Sequence, residues 1–238
     1  MRALKYIENL FDTLKKCDQN GGPTGMAFGL AGSLIRINYF DIDDIAKSYM
    51  RWHKRDGFDA GPTASRVFQL VEKGMSFHKA SEQVDFETNG MTAGCNPAHR
   101  AAALAILDVD EKELIDIVIQ EAKLTHWHPL AADVSVATVL LCRKLSHGED
   151  WHESIASVRK GRLVETQRAL ESHQIDDLRG DGFAPNVLAA AMYFLMNSDN
   201  LDEAINRSID FAGPANYCPV LVGAIGSARW VLPDAYLL

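Results

Sequence analysis

The sequence predicts an all-α protein, and three observations carry that prediction. Apolar residues recur at helical spacing through most of the 238 positions. Helix-start residues stand just ahead of several of those stretches, and nowhere do apolar and polar residues alternate as in a strand. A chain of this length buries a full core, and neither a repeat, a low-complexity tract nor a linker-like shift in composition divides it. The reading is one domain over residues 1–238.

Each element has its own warrant. Met1 to Lys16 places Leu4, Ile7, Leu10, Phe11 and Leu14 on one face, an amphipathic helix and not a signal peptide. Asp41 caps a helix that turns Ile42, Ile45, Tyr49 and Trp52 inward, with Asp44 at its third position. Asp110 with Glu113 starts another ahead of Leu114, Ile117 and Val118, and Asn200 with Glu203 a third ahead of Ala204 and Ile205. Gly74 and Gly148 stand where helices end. Segments 24–38, 129–146, 185–197 and 217–231 are apolar on most faces, as in central helices packed all round. The charged stretch 147–181 reads as a surface helix and loop.

Composition narrows the function. With 47% apolar and 24% charged residues the chain reads as an ordinary soluble globule. A formal charge of −8 repels phosphates, which argues against nucleic acid and anionic membrane surfaces as partners. No apolar run is long and unbroken enough to span a bilayer. Cys17, Cys95, Cys142 and Cys218 lack paired short spacings, so neither a zinc site nor a disulfide framework is supported, and reduced thiols in a cytoplasm are the default. Cys218 alone lies in a glycine- and proline-rich turn. It is either a reactive thiol or, as free cysteines usually are, core filler.

Chemistry concentrates in five segments that join polar residues to glycine or proline at predicted helix starts: 21–25, 57–63, 88–97, 125–129 and 213–219. Unpaired N–H groups and the positive dipole end make converging helix starts able to hold an anion or a diphosphate. Taken singly, each segment is also an ordinary capped turn.

In order and spacing the five resemble the ADP-ribosylglycohydrolase family. Gly22-Pro23-Thr24-Gly25-Met26-Ala27 resembles the family's Asp-Asp-Thr-x-Met-Ala segment, matching at Thr24 and Met26. Trp52 matches a tryptophan that precedes the next loop, and Asp59, Gly61 and Thr63 match an Asp-x-Gly-x-Thr loop whose aspartate stands near the scissile ribose. Thr88-Asn89-Gly90 with Asn96-Pro97 is similar to Gly-Asn-Gly-Ser…Pro. Thr125-His126-x-His128-Pro129 is similar to the Ser/Thr-His segment lining the ADP-ribose cleft. Gly213-Pro214-Ala215-Asn216-Tyr217, opening a small-residue helix, resembles the Gly-Asp-Thr-Asp-Thr turn. The family's N-terminal Gly-Asp-Ala-x-Gly helix is missing.

The departures shape the expectation. The resemblance implies two Mg²⁺ ions between the paired aspartates and the C-terminal Asp-Thr-Asp, yet those positions here are Gly22, Pro23, Pro214 and Asn216. Hard divalent cations need several anionic or carbonyl oxygens. No metal and no other cofactor is therefore expected. Asp59 becomes the catalytic candidate, as general base or as stabiliser of a cationic sugar, against the plainer readings that it caps the helix near Pro62 or pairs with Arg55. Thr24, Asn89, Gly90, His126, Asn216 and Tyr217 are the substrate-binding candidates. Arg100 is assigned to a surface acid in preference to substrate. The resulting expectation is a magnesium-independent hydrolase or lyase acting on a glycosidic bond of an ADP-ribosyl, ribosyl or similar polar small molecule. Its alternative is a non-catalytic relative that binds a nucleotide-like ligand or a protein.

Overall fold

A computed structural model of the chain describes residues 2–17, 22–171, 174–213, 215 and 217–230, and the side chains from residue 5 onward. Among the described residues there are thirteen α-helices and no strand beyond one isolated antiparallel bridge, Gly94 to Phe183. The helices are α1 (Arg2–Cys17), α2 (Gly22–Ile37), α3 (Ile42–Arg55), α4 (Pro62–Glu72), α5 (Phe77–Glu87), α6 (Asn96–Arg100) and α7 (Glu111–Ala122). They continue as α8 (Pro129–Ser146), α9 (Trp151–Arg159), α10 (Val164–Ala169), α11 (Ala184–Met196), α12 (Leu201–Ala212) and α13 (Tyr217–Arg229). A 3-10 helix over Ala101–Ile106 extends α6.

The start signals act as their chemistry requires. The carboxylates of Asp41 and Asp110 and the amide oxygen of Asn200 accept from the N–H of Asp44, Glu113 and Glu203 at 3.0, 2.8 and 2.9 Å. Gly74 and Gly148 take positive φ just beyond α4 and α8, where a side chain is disfavoured. Asp44 does more than begin α3: it accepts from Ser33 at 2.5 Å and pairs with Arg36, tying α3 to α2. The Ser33 hydrogen bond, with Arg36 beside it, holds its carboxyl below the usual carboxylate range.

The four segments read as central are α2, α8, α11 and α13. In the middle of the core α8 packs on α6, the 3-10 helix, α7 and α13, while α13 also meets α1, α11 and α12. On α1 the buried face is Tyr6, Leu10, Leu14 and Cys17, with Ile7 and Phe11 half-buried; the side chain of Leu4 lies outside the described residues. Helices α4 and α5 form a hairpin with a small core of its own, Val67, Leu70, Ala80 and Val84. Phe68 in α4 carries contact to the body through Trp52 and His53.

One expectation needs correction. Stretch 147–181 is not a single surface helix and loop. It contains α9 and α10, which bury Ile155, Val158, Ala169 and Leu170 against the body. Its apolar residues are too few per turn to stand out, but a short helix needs only one buried edge.

Gly25 belongs to packing: a Cβ there would lie 2.2 Å from the indole nitrogen of Trp52. Gly32, in the same helix, has open space around it. We expect Gly25→Ala to lower stability by about 1–3 kcal/mol through overpacking. Gly32→Ala should be neutral or stabilising by up to about 1 kcal/mol. Urea unfolding of the two variants checks this; equal effects would remove the α2–α3 contact as the reason.

Candidate functional site

As far as they are described, the five polar segments lead into α2, α4, α6, α8 and α13, the third of them first closing α5. What brings several of them together is a buried ion pair. Arg100, at the end of α6, and Glu121, on α7, are both fully buried, with Nε 2.5 Å from Oε1. The Tyr49 hydroxyl donates to the same oxygen at 2.6 Å, and the guanidinium lies 5.0 Å from the Tyr49 ring centre. Burial, the largest single influence, pulls the guanidinium pKa down, but Glu121 and Tyr49 together outweigh it and the pKa stands above the ordinary value. Arg100 thus meets an acid, but a buried one and not the expected surface one. The sequence did carry a signal, since Glu121 continues the apolar stripe Leu114–Ile117–Val118 of α7.

The remaining Arg100 donors reach toward the helix starts. One Nη1 bond goes to Asn96 Oδ1 at 2.6 Å and another to Thr125 Oγ1 at 2.9 Å. Asn96 in turn donates from Nδ2 to the carbonyl of Ala60 at 3.1 Å, fixing the loop that carries Asp59. Thr125 Oγ1 lies 2.8 Å from His126 Nδ1. That hydroxyl also accepts from Arg100, so it links the guanidinium to the imidazole. Burial first, then the Arg100 and His99 charges, push the His126 pKa down to about 3. The ring is neutral at pH 7 and packs against the backbone of Gly94, where a Cβ would stand 3.1 Å from Nε2.

Gly94 belongs to a short paired segment. Cys95 N–H donates to Gly182 at 3.1 Å, and Ala184 N–H to Ala93 at 2.9 Å. The Tyr217 ring covers Gly182, whose Cβ would meet it at 3.4 Å, and the Tyr217 carbonyl lies 2.8 Å from His99 Nε2. Burial raises the Tyr217 phenol pKa, and nearby Cys95, Asp59 and Asp181 raise it further, which puts both carboxylates within electrostatic reach of this ring. Asp181 was not singled out from sequence. Its carboxylate is held by Phe183 N–H at 3.0 Å and by the Asn186 amide.

The loop around Asp59 is unusual in its backbone. Gly57, Asp59 and Gly61 take φ of 57°, 57° and 77°. Asp59 is exposed and does not cap α4, because Gly61 stands at the N-cap and Pro62 opens the helix. The loop also lies on α2: a Cβ at Gly22 would be 2.2 Å from the Asp59 carbonyl oxygen.

The region around Tyr217, with Gly182 under its ring and Asp59 and Asp181 within electrostatic reach, is the candidate cleft, and His126 packs on Gly94 nearby. Thr24 is turned away: it is buried, with its hydroxyl 3.4 Å from the Leu14 carbonyl of α1. Asn89 and Gly90, at φ 52° and 80°, end α5, where their N–H groups bond Phe86 and Asp85. Pro214 and Asn216 lie outside the described residues. Cys218 is buried, its Sγ 3.6 Å from the Ser208 carbonyl, and burial pushes its pKa up to about 12; it is core filler. The four cysteines are free thiols.

The described residues do not fit a dinuclear magnesium site. Gly22 and Pro23 offer no side-chain oxygen, and the Asp59 backbone fills the space a carboxylate at position 22 would need. No three His, Cys, Asp or Glu side chains converge as a ligand set among the described residues. The recess beside Tyr217 measures about 10 Å³, room for one water at most.

Comparison with known proteins follows this geometry. A family model described as ADP-ribosylglycohydrolase matches residues 18–234. A solved structure titled "ADP-ribosylglycohydrolase-related protein complex" superposes with a TM-score of 0.77 at 19% identity, covering 98% of this chain and 89% of that one. No curated protein matches the sequence significantly.

Two outcomes follow from the buried pair and the ring it holds. Arg100→Met strands the Glu121 charge and should cost about 3–5 kcal/mol, while Arg100→Met with Glu121→Leu should recover much of the loss. Chemical unfolding of both variants tests this, and an additive double variant would refute the coupling. His126, buried neutral, binds its proton more weakly folded than unfolded. Its contribution is full above pH 6.5 and falls as pH drops toward 3, at a slope of at most about 1.4 kcal/mol per pH unit. Imidazole NMR shifts of His126 should therefore stay flat between about pH 5 and 8; a midpoint near 6.5 would overturn the assignment.

Proposed function

We propose, for a chain that belongs to the ADP-ribosylglycohydrolase family, cleavage of a glycosidic bond in an ADP-ribosyl or other ribosyl-bearing small molecule without a magnesium pair. Membership supports a glycohydrolase-like function. The observation that carries the finer reading is the Asp59 loop. Three positive-φ residues within five positions, one of them not glycine, are held in place by Asn96 and hence by Arg100. Backbone held in a sparsely populated region concentrates at functional sites, because the surrounding structure must over-determine it.

In this reading the Asp59 carboxylate takes the proton from the attacking water as its oxygen bonds the anomeric carbon. The glycosidic bond breaks with its electron pair going to the leaving group, which accepts a proton from solvent. The negative field of Asp59 and Asp181 favours the cationic sugar that develops. Tyr217 offers a ring face for a base or sugar. His126, neutral because its pKa lies far below neutrality, supports the substrate side from behind Gly94 and takes no part as an acid. Asn89, Gly90 and Asn216 remain proposed substrate contacts, and Thr24 acts through α1. The cytoplasm is the proposed setting, in keeping with four free thiols. No helix among the described residues is long and apolar enough to cross a membrane.

A second reading, a non-catalytic relative that binds a nucleotide-like ligand or a protein, draws on the closure of the Asp59 loop over Gly22 and the small recess at Tyr217. Asp59→Asn divides the two. If the chain is a hydrolase, release of ADP-ribose from ADP-ribosylated peptide or N-ribosyl substrates should fall by about 10²–10⁴-fold with folding intact. Wild-type turnover should persist in EDTA. Turnover that requires Mg²⁺ would remove the metal-free mechanism, and no turnover alongside ADP-ribose binding would establish the binder.

A further inference from the structure

A concavity of about 840 Å³ lies away from this cleft, among the described residues. It lies where α3, the α4–α5 hairpin and the end of α7 fail to close on one another. Helix α3 packs on α2, and α5 packs on α4 around the hairpin's own small core, so the faces turned toward this groove have no helix against them. Ile42, Ala46 and Met50 form one apolar stripe along α3, about 12 Å long at the helical rise. Val71 and Phe77 of the hairpin and Leu124 after α7 face the same groove.

The rim differs from the rest of the surface. Beside the stripe run Asp43, Lys47 and Arg51, and across the groove lie His78 and Lys123, so three permanent cations face one anion. That excess stands in a chain whose formal charge is −8. Lys123 is steadied 4.9 Å over the Trp127 ring, against which His78 stacks edge-on. Arg51 donates to Ser48 at 2.6 Å, and its charge also reaches the Asp44 carboxylate.

We propose that this groove docks an acidic amphipathic helix of a partner protein. An apolar stripe repeating at i, i+4, i+8 beside a row of charges is the complement of a helix with the same period. The stripe accommodates about two turns of apolar anchors, and the cationic rim selects carboxylates along their flank. A symmetric pair of this chain is disfavoured, because an isologous contact would set Lys47, Arg51 and Lys123 against their own copies.

The test uses the whole chain and two fluorescein-labelled synthetic helices of about 15 residues. Both carry leucine at i, i+3, i+4 and i+7; one has glutamate and the other lysine at the remaining positions. Fluorescence anisotropy should give micromolar binding of the glutamate peptide, weakening with salt, and at least about 10-fold weaker binding of the lysine peptide. Lys47→Glu with Lys123→Glu should weaken the glutamate peptide by about 10-fold or more, with the thermal unfolding midpoint unchanged. Should the double variant unfold, Lys47→Glu alone, at an exposed position, must still weaken binding. Equal binding of both peptides overturns the proposal, as does no binding of the glutamate peptide. Saturable binding of dodecanoate in its place would mark an amphiphile site. Self-association abolished by Lys47→Glu would mark a second copy as the occupant, and either result also overturns it.

Discussion

A guanidinium sealed from water at Arg100 constrains everything around it. Removing such a group from solvent is costly, and the cost is met only when its donors find acceptors. Here Glu121 takes two of those bonds through its carboxylate and its backbone carbonyl, Asn96 and Thr125 take others, and Tyr49 closes one face. The acceptors come from the starts of α6 and α8 and from α7, so the requirement to satisfy one side chain fixes how those elements meet. Glu121 Oε2 is buried without a hydrogen-bond partner among the described residues, which makes this pair a site of specificity more than of net stability.

The cleft inherits its geometry from that pair. Asn96 passes the constraint to the Asp59 loop, Thr125 links Arg100 to His126, and the Gly94–Phe183 bridge ties this region to the start of α11. Helix α13 adds Tyr217 at its first turn, and its glycine-rich body lets α1 approach: Cys17 and Thr13 sit against Gly223. One buried network and one small-residue helix thus position groups more than 150 residues apart. At position 22, where the resemblance implies a metal-binding carboxylate, the Asp59 backbone fills the space, and Asp59 and Asp181 supply charge near Tyr217.

Two of the concave regions among the described residues differ in how they are built. The recess beside Tyr217 is small and lies at the start of α13; the groove is wide, mostly apolar and built from helix faces left without a neighbour. The α4–α5 hairpin borders both, since the Asp59 loop leads into α4 and Phe77 opens α5 at the groove. Its separate small core makes it the element best able to shift relative to the body.

What the sequence determined by itself was the local part. Helical period, the caps Asp41, Asp110 and Asn200, and the glycines at 74 and 148 act through neighbours within four residues, so they are legible one window at a time. The order of the five polar segments carried the family resemblance, and with it Asp59 and Tyr217. Only the tertiary structure decided which polar residues share a cleft and which serve packing. Thr24 bonds α1, Arg100 and His126 are buried, Gly25 receives an indole, and Asp181 enters from a stretch that looked like a surface loop. These outcomes turn on desolvation and on pairings between residues far apart in the chain. Neither is a property of a residue type or a spacing, so neither could be read before the helices were packed.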